Sequence, residues 1–143
     1  MIDYNQITRR VIIVIKRCYL KVLFSSDKLE EQCKSKALAK KLLGGNEILA
    51  ISLLARINAL MQADTIKDIV VQPSFHFHKL HNKNGKNLEG YFAIDVKSRK
   101  DAWRIILQPL DENEKPFVPC HIDQISSIVR IVEVSEVSKH YDD

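Results

Sequence analysis

Apolar residues recur along this chain in two rhythms, helical between Leu29 and Ile69 and extended from Phe75 onward. Ahead of both, residues 11–24 are rich in Val, Ile, Leu, Tyr and Phe and carry no preceding helix cap, which predicts one buried strand or two short ones. The segment Ser25 to Glu30 then signals a helix start. Asp27 as N-cap with Glu30 three residues later matches a capping box, so a helix is expected over 28–43. Its apolar positions Leu29, Cys33, Ala37, Leu38 and Leu42 form one stripe with the lysines outward, and Gly44-Gly45 supplies a positive-φ stop. Asn46 can cap a second helix over 47–63, whose broad apolar face takes in Ile48, Ile51, Leu54 and Ala55 with Leu53, Ile57 and Leu60. A two-glycine connection predicts that the pair is an antiparallel helical hairpin.

Asp64 to Ile69 adds one short turn before Pro73 ends the helical part. Phe75 to His81 then reads as a strand, and Asn84-Gly85 marks a turn in the loop leading to a second strand over Gly90 to Lys97. Trp103 to Leu110 reads as a third strand, closed by Pro109 and the acidic loop Asp111 to Glu114, and residues 128–138 as a fourth. The expected fold class is α+β: an N-terminal strand, a two-helix antiparallel hairpin, then a mainly antiparallel sheet of about four strands. A length of 143 residues fits a single domain over 1–143, with 1–20 as an N-terminal extension or an extra strand.

Composition narrows the class. Apolar residues make up 45% and charged residues 28%, so one packed core is expected and no long disordered arm. The most apolar N-terminal stretch is interrupted by Lys16, Arg17 and Lys21. Its longest uncharged run, Val11 to Ile15, is too short for a membrane span or a signal-peptide core. Cys18, Cys33 and Cys120 are an odd number without close spacing, which fits a reducing compartment, and a cytoplasmic location is expected. Charge is uneven. Residues 9–43 hold ten Lys/Arg against three Asp/Glu and residues 76–104 hold seven against three, whereas residues 111–143 hold three against eight. Basic clusters gain affinity for polyanions by displacing counterions, so the basic body points to a phosphate-rich partner.

Within the second basic region, His76 and His78 lie on one face of the expected strand, a spacing by which a sheet presents two imidazoles to one ligand. A metal would need a third ligand, and Glu89 is the only nearby carboxylate. No metal or other cofactor is expected. In Trp103-Arg104-Ile105-Ile106 a guanidinium alternates with core residues, so Arg104 either pairs with a carboxylate such as Asp95 or points at an anionic ligand. No GxSxG or phosphate-binding P-loop is present. The tail Val137-Ser138-Lys139-His140-Tyr141 sets a proton carrier beside a phenol.

The order of these segments resembles the RelE/ParE toxin superfamily, most closely its plasmid-maintenance killer, or HigB-like, branch. The resemblance runs from about Lys21 to the end, through Phe77-His78-Lys79-Leu80-His81, Glu89-Gly90-Tyr91-Phe92-Ala93-Ile94, Ala102-Trp103-Arg104-Ile105-Ile106 and Ser138-Lys139-His140-Tyr141. It departs in two places: the position of the family's lysine falls on His81, and the terminal pair is inverted as His140-Tyr141. The resemblance implies a RelE-like fold and the toxin of a type II toxin–antitoxin system. That toxin would be a metal-independent endoribonuclease, an mRNA interferase cleaving messenger RNA on the ribosome by 2′-hydroxyl attack. Its partners would be a cognate antitoxin protein, messenger RNA and the ribosome, with no membrane. The catalytic set it implies is Arg104, His81, His140 and Tyr141, with Lys79, Lys83, Arg99 and Lys100 on the RNA backbone. ParE-like members of the same superfamily instead bind and poison DNA gyrase, a non-enzymatic alternative.

Overall fold

A computed structural model describes residues 19–83 and 85–139. The elements in chain order are β1 (Lys21–Phe24), α1 (Asp27–Lys34), α2 (Lys36–Leu42), α3 (Glu47–Gln62), α4 (Lys67–Val70), β2 (His78–Lys79), β3 (Phe92–Asp95), β4 (Arg104–Leu110), α5 (Ile122–Ile125) and β5 (Ile131–Ser138). A single 3-10 turn, Pro73–Phe75, precedes β2. The fold class is α+β, as the pattern predicts.

The helical part departs from the expected pair of helices. Ser26, one residue earlier than the expected Asp27, is the N-cap of α1, and its hydroxyl accepts from the Leu29 amide. The helix expected over 28–43 breaks at Ser35, whose backbone is extended (φ −119°, ψ 122°) and whose hydroxyl accepts from the Leu38 amide to start α2. A serine hydroxyl competes with helix continuation by offering the chain a cap, and here it does so within the lysine-rich stretch. The glycine stop follows expectation: Gly44 and Gly45 lie at φ 71° and 86°, and the Gly45 amide donates back to the Lys40 carbonyl. Asn46 caps α3 through the Leu49 amide.

In α3 the buried stripe is Leu49, Ala50, Leu53, Ile57 and Leu60, while Ile48 and Ile51 are exposed, at 62% and 52%. The helix is apolar nearly all round, so its sequence could not say which side faces inward.

Among the described residues the sheet has five strands, in the order β1-β5-β4-β3-β2. It is mixed. β1 runs parallel to β5, from Lys21 beside Ile131 to Phe24 beside Val134, while the other pairings are antiparallel. The parallel pair is reached through a crossover that holds the helices, as parallel neighbours require. The strand expected over Phe75 to His81 shrinks to His78–Lys79, because Pro73 fixes its own φ and starts a 3-10 turn that runs to Phe75. Lys83 and Lys86 bridge around Gly85, the expected turn.

Strand alternation sorts the two faces. Ile94, Ile105, Leu107, Val132 and Val134 point to the helices and join Leu49, Leu53, Ile57 and Leu60 in the main core. Each fully buried Leu or Ile there contributes about 1.5–3 kcal/mol relative to exposure. On the opposite face Ala93 and Ile106 join Leu80 and Leu88 in a small second cluster, with Tyr91 against it. That face is otherwise polar: its register rows set Asp95 beside Arg104 beside Ser138, and His78 beside Ala93 beside Ile106 beside Glu136. Among the described residues no helix is long and apolar enough to cross a membrane.

Candidate functional site

The polar sheet face carries one dense group of titratable side chains, at the end where β2 begins and β3 passes to β4. Arg104 starts β4 and is 1% exposed. Its Nε lies 3.3 Å from Oδ1 of Asp95, which is equally buried. Nη1 donates to the carbonyls of Asp101 and Trp103, each at 2.8 Å, and more weakly to that of Ser98. Of the two roles open to a mid-sheet arginine, this geometry is that of pairing: Arg104 knits the β3–β4 turn together. Asp101 reinforces the turn by accepting from the Ser98 and Trp103 amides. Arg99 and Lys100 are exposed on this turn.

His76 meets Arg99 from the other side. The Pro73–Phe75 turn ends on His76, whose backbone is left-handed (φ 50°, ψ 51°), a conformation uncommon outside glycine but several-fold enriched for histidine. That backbone turns its ring over the sheet, where Arg99 Nη1 contacts both ring nitrogens. His76 Nδ1 lies 3.8 Å from Asp95 Oδ1. The His78 ring packs beside it, centroids 4.6 Å apart and planes tilted by 45°. His78 Nδ1 donates to the His76 carbonyl at 2.8 Å. A carbonyl only accepts, so the neutral His78 carries its proton on Nδ1 and its lone pair on Nε2. Burial holds the His76 imidazole below its ordinary pKa, with the neighbouring His78, Arg99 and Arg104 acting the same way and Asp95 opposing them.

Two segments distant in sequence must be held together for this to form, and Arg56 of α3 holds them. Its Nε donates to the Asp95 and Val96 carbonyls and its Nη2 to those of Ser74 and Lys97, at 3.1–3.3 Å. The guanidinium also lies over the Phe75 ring, 4.3 Å from its centroid. Arg56 was not among the expected site residues. Its signal was present: it is the lone charged residue between Glu47 and Asp64.

Of the remaining expected residues, the described ones are dispersed. His81 is exposed, three residues beyond His78 and so roughly 10 Å further along the chain. Lys79 is exposed and 3.7 Å from Glu89. Lys83 lines a small loop cavity with Lys86 and Asn82, and Lys100 lines a cleft of about 300 Å³ with Lys97, Asn46 and Ile48. His140 and Tyr141 lie outside the described residues. Among the described residues, no three His, Cys, Asp or Glu side chains gather as a metal-ligand set. Chemically the group offers a surface guanidinium, two imidazoles and a buried carboxylate, suited to hold an anion and move protons beside it. No protein-family model, curated protein or solved structure matches this chain.

Proposed function

We propose that this chain is a killer-type toxin of the RelE/ParE superfamily that cleaves messenger RNA on the ribosome and is neutralised by a small antitoxin protein. The observation that carries the reading is the gathering of His76, His78 and Arg99 above the Asp95–Arg104 pair, on the sheet face away from the helices. The ordered sequence resemblance and the basic stretch over residues 76–104 add support.

In this reading the ribose 2′-oxygen attacks its own 3′-phosphorus. His78 Nε2 accepts the 2′-hydroxyl proton, the O2′–P bond forms and the P–O5′ bond breaks. His76 gives a proton to the departing 5′-oxygen, which leaves a 2′,3′-cyclic phosphate and a 5′-hydroxyl. Arg99 offsets the charge developing on the pentavalent phosphate. Arg104 acts one step back, as a positioning residue that holds Asp95 and the turn, and Lys79, Lys83 and Lys100 hold the RNA backbone.

A ribosome-programmed cleavage assay tests this. Wild type is expected to cut the message, and Arg99→Ala or His78→Ala to slow cutting by about 10²-fold or more. Intact message with wild type would remove the nuclease reading, and gyrase that stops supercoiling DNA in its presence would install the binding-poison alternative. Co-purification with the product of the adjacent small gene tests the antitoxin.

A further inference from the structure

The His76–Arg99 contact has a chemical asymmetry. An arginine has no lone pair and always donates, so the His76 nitrogen that receives Arg99 must be unprotonated. Arg99 Nη1 lies against both ring nitrogens, and Nδ1 also faces Asp95 Oδ1 at 3.8 Å. That oxygen is buried and accepts no hydrogen bond. Its charge is already paired with Arg104 Nε at 3.3 Å, but as a buried acceptor without a hydrogen bond it can take a further donor from the imidazole side. A second proton on the ring would leave no lone pair for Arg99 at either nitrogen and make His76 a donor at both. A phosphate oxygen could then be shared between Nε2–H and the released guanidinium.

Resting on the phosphate-handling reading above, we propose that the site binds phosphodiesters in a proton-linked manner: His76 takes up one proton as the anion arrives, exchanging Arg99 for the phosphate. The groups facing His76 are His78 from β2, Asp95 from β3, Arg99 from the β3–β4 turn and Arg104 from β4, with the Arg56 guanidinium of α3 behind Ser74 and Phe75. Of these, His78, Arg99 and Arg104 disfavour the imidazolium and Asp95 favours it; an arriving phosphate reverses the balance. The linkage sign follows. His76 starts with its pKa below the ordinary value and ends with it raised, so affinity is greatest at low pH and is lost as pH rises through the bound-state pKa. In this account the proton used on the 5′-oxygen arrives together with the substrate.

The test uses the full chain and an RNA oligonucleotide bearing 2′-O-methyl groups, which cannot be cleaved. Titration calorimetry at constant salt, in buffers of different ionisation enthalpy between about pH 5 and pH 8, reads proton uptake directly. We expect uptake approaching one proton per site and affinity falling by up to about tenfold per pH unit. His76→Gln keeps a polar side chain of similar reach and should bind weakly with a flat profile, whereas His78→Gln should weaken binding and keep the slope. Wild-type binding without proton uptake, or an unchanged slope in His76→Gln, overturns the linkage and leaves the phosphate site standing. Absence of wild-type binding at every pH overturns the phosphate-site reading and the linkage with it.

Discussion

Replacing Arg104 by methionine keeps most of the side-chain volume and deletes the guanidinium. Asp95, 1% exposed, would then keep a buried charge with its closest cation gone, and the carbonyls of Asp101 and Trp103 would lose their donor. Removing one partner of a buried ion pair costs about 3–5 kcal/mol, because the survivor is desolvated without compensation. For a chain of this length that corresponds to a melting temperature lower by about 10–15 °C. The matching change, Asp95→Asn, removes the charge from the other side. In a double-mutant cycle read by thermal and urea denaturation, the two losses should be non-additive, with a coupling of about 1–3 kcal/mol. A loss below about 1 kcal/mol for Arg104→Met, or two losses that simply add, would refute the reasoning and return Arg104 to the surface chemistry that its sequence context also allowed.

Arg56→Met should cost about 2–4 kcal/mol through its four carbonyl contacts and should speed amide exchange around Val96 and His76; unchanged exchange there would sink its role as a clamp. Ser35→Ala removes the cap of α2 and should lower stability by about 1 kcal/mol in urea melts, with no loss counting against the helix break. Burial pushes the Cys33 thiol up to about 12, so Cys33 should stay unlabelled by iodoacetamide at about pH 8 in the native protein and react after unfolding, as read by peptide mass mapping. His76 lies below its ordinary pKa in the folded chain, so the unfolded state binds more protons near pH 6 and wild type should lose stability as pH falls through that window. His76→Gln should remove part of that slope in urea midpoints, and identical slopes would show that His76 does not titrate differently on folding.

Elements with local signals were legible from the residues alone. The cap-and-glycine punctuation around Ser26, Gly44-Gly45 and Asn46 placed the outer ends of the helical stretches to within a residue or two, though not the break at Ser35, and β3, β4 and β5 fell inside the predicted segments. Apart from the Ser35 cap and the Pro73 turn, which are local, what escaped was non-local. Nothing near Lys21–Phe24 says that its neighbour is Ile131–Val134, so the strand was foreseen but its parallel place at the sheet edge was hidden. In α3, apolar residues on every side concealed that Ile48 and Ile51 face outward. At the site, the pairing of Arg104 with Asp95 was one of two foreseeable outcomes, because opposite charges at facing β positions are a familiar stabiliser. The meeting of His76 with Arg99 was not foreseeable. It depends on a left-handed residue after a proline turn and on Arg56, which reaches both segments from a third element.

The place of β5 between β1 and β4 sets a schedule for synthesis. Ser25, at the end of β1, hydrogen-bonds through its hydroxyl to the Ser135 carbonyl, 110 residues later. At about 5–20 residues per second, roughly 5–20 s pass between the two being made. Throughout that interval β1 and β4 lack the strand that separates them, and the row Asp95–Arg104–Ser138 lacks its third member. A ribosome-bound chain therefore cannot complete this sheet until β5 has been made. Residues 131–138, made after the other four described strands, are the ones that close it.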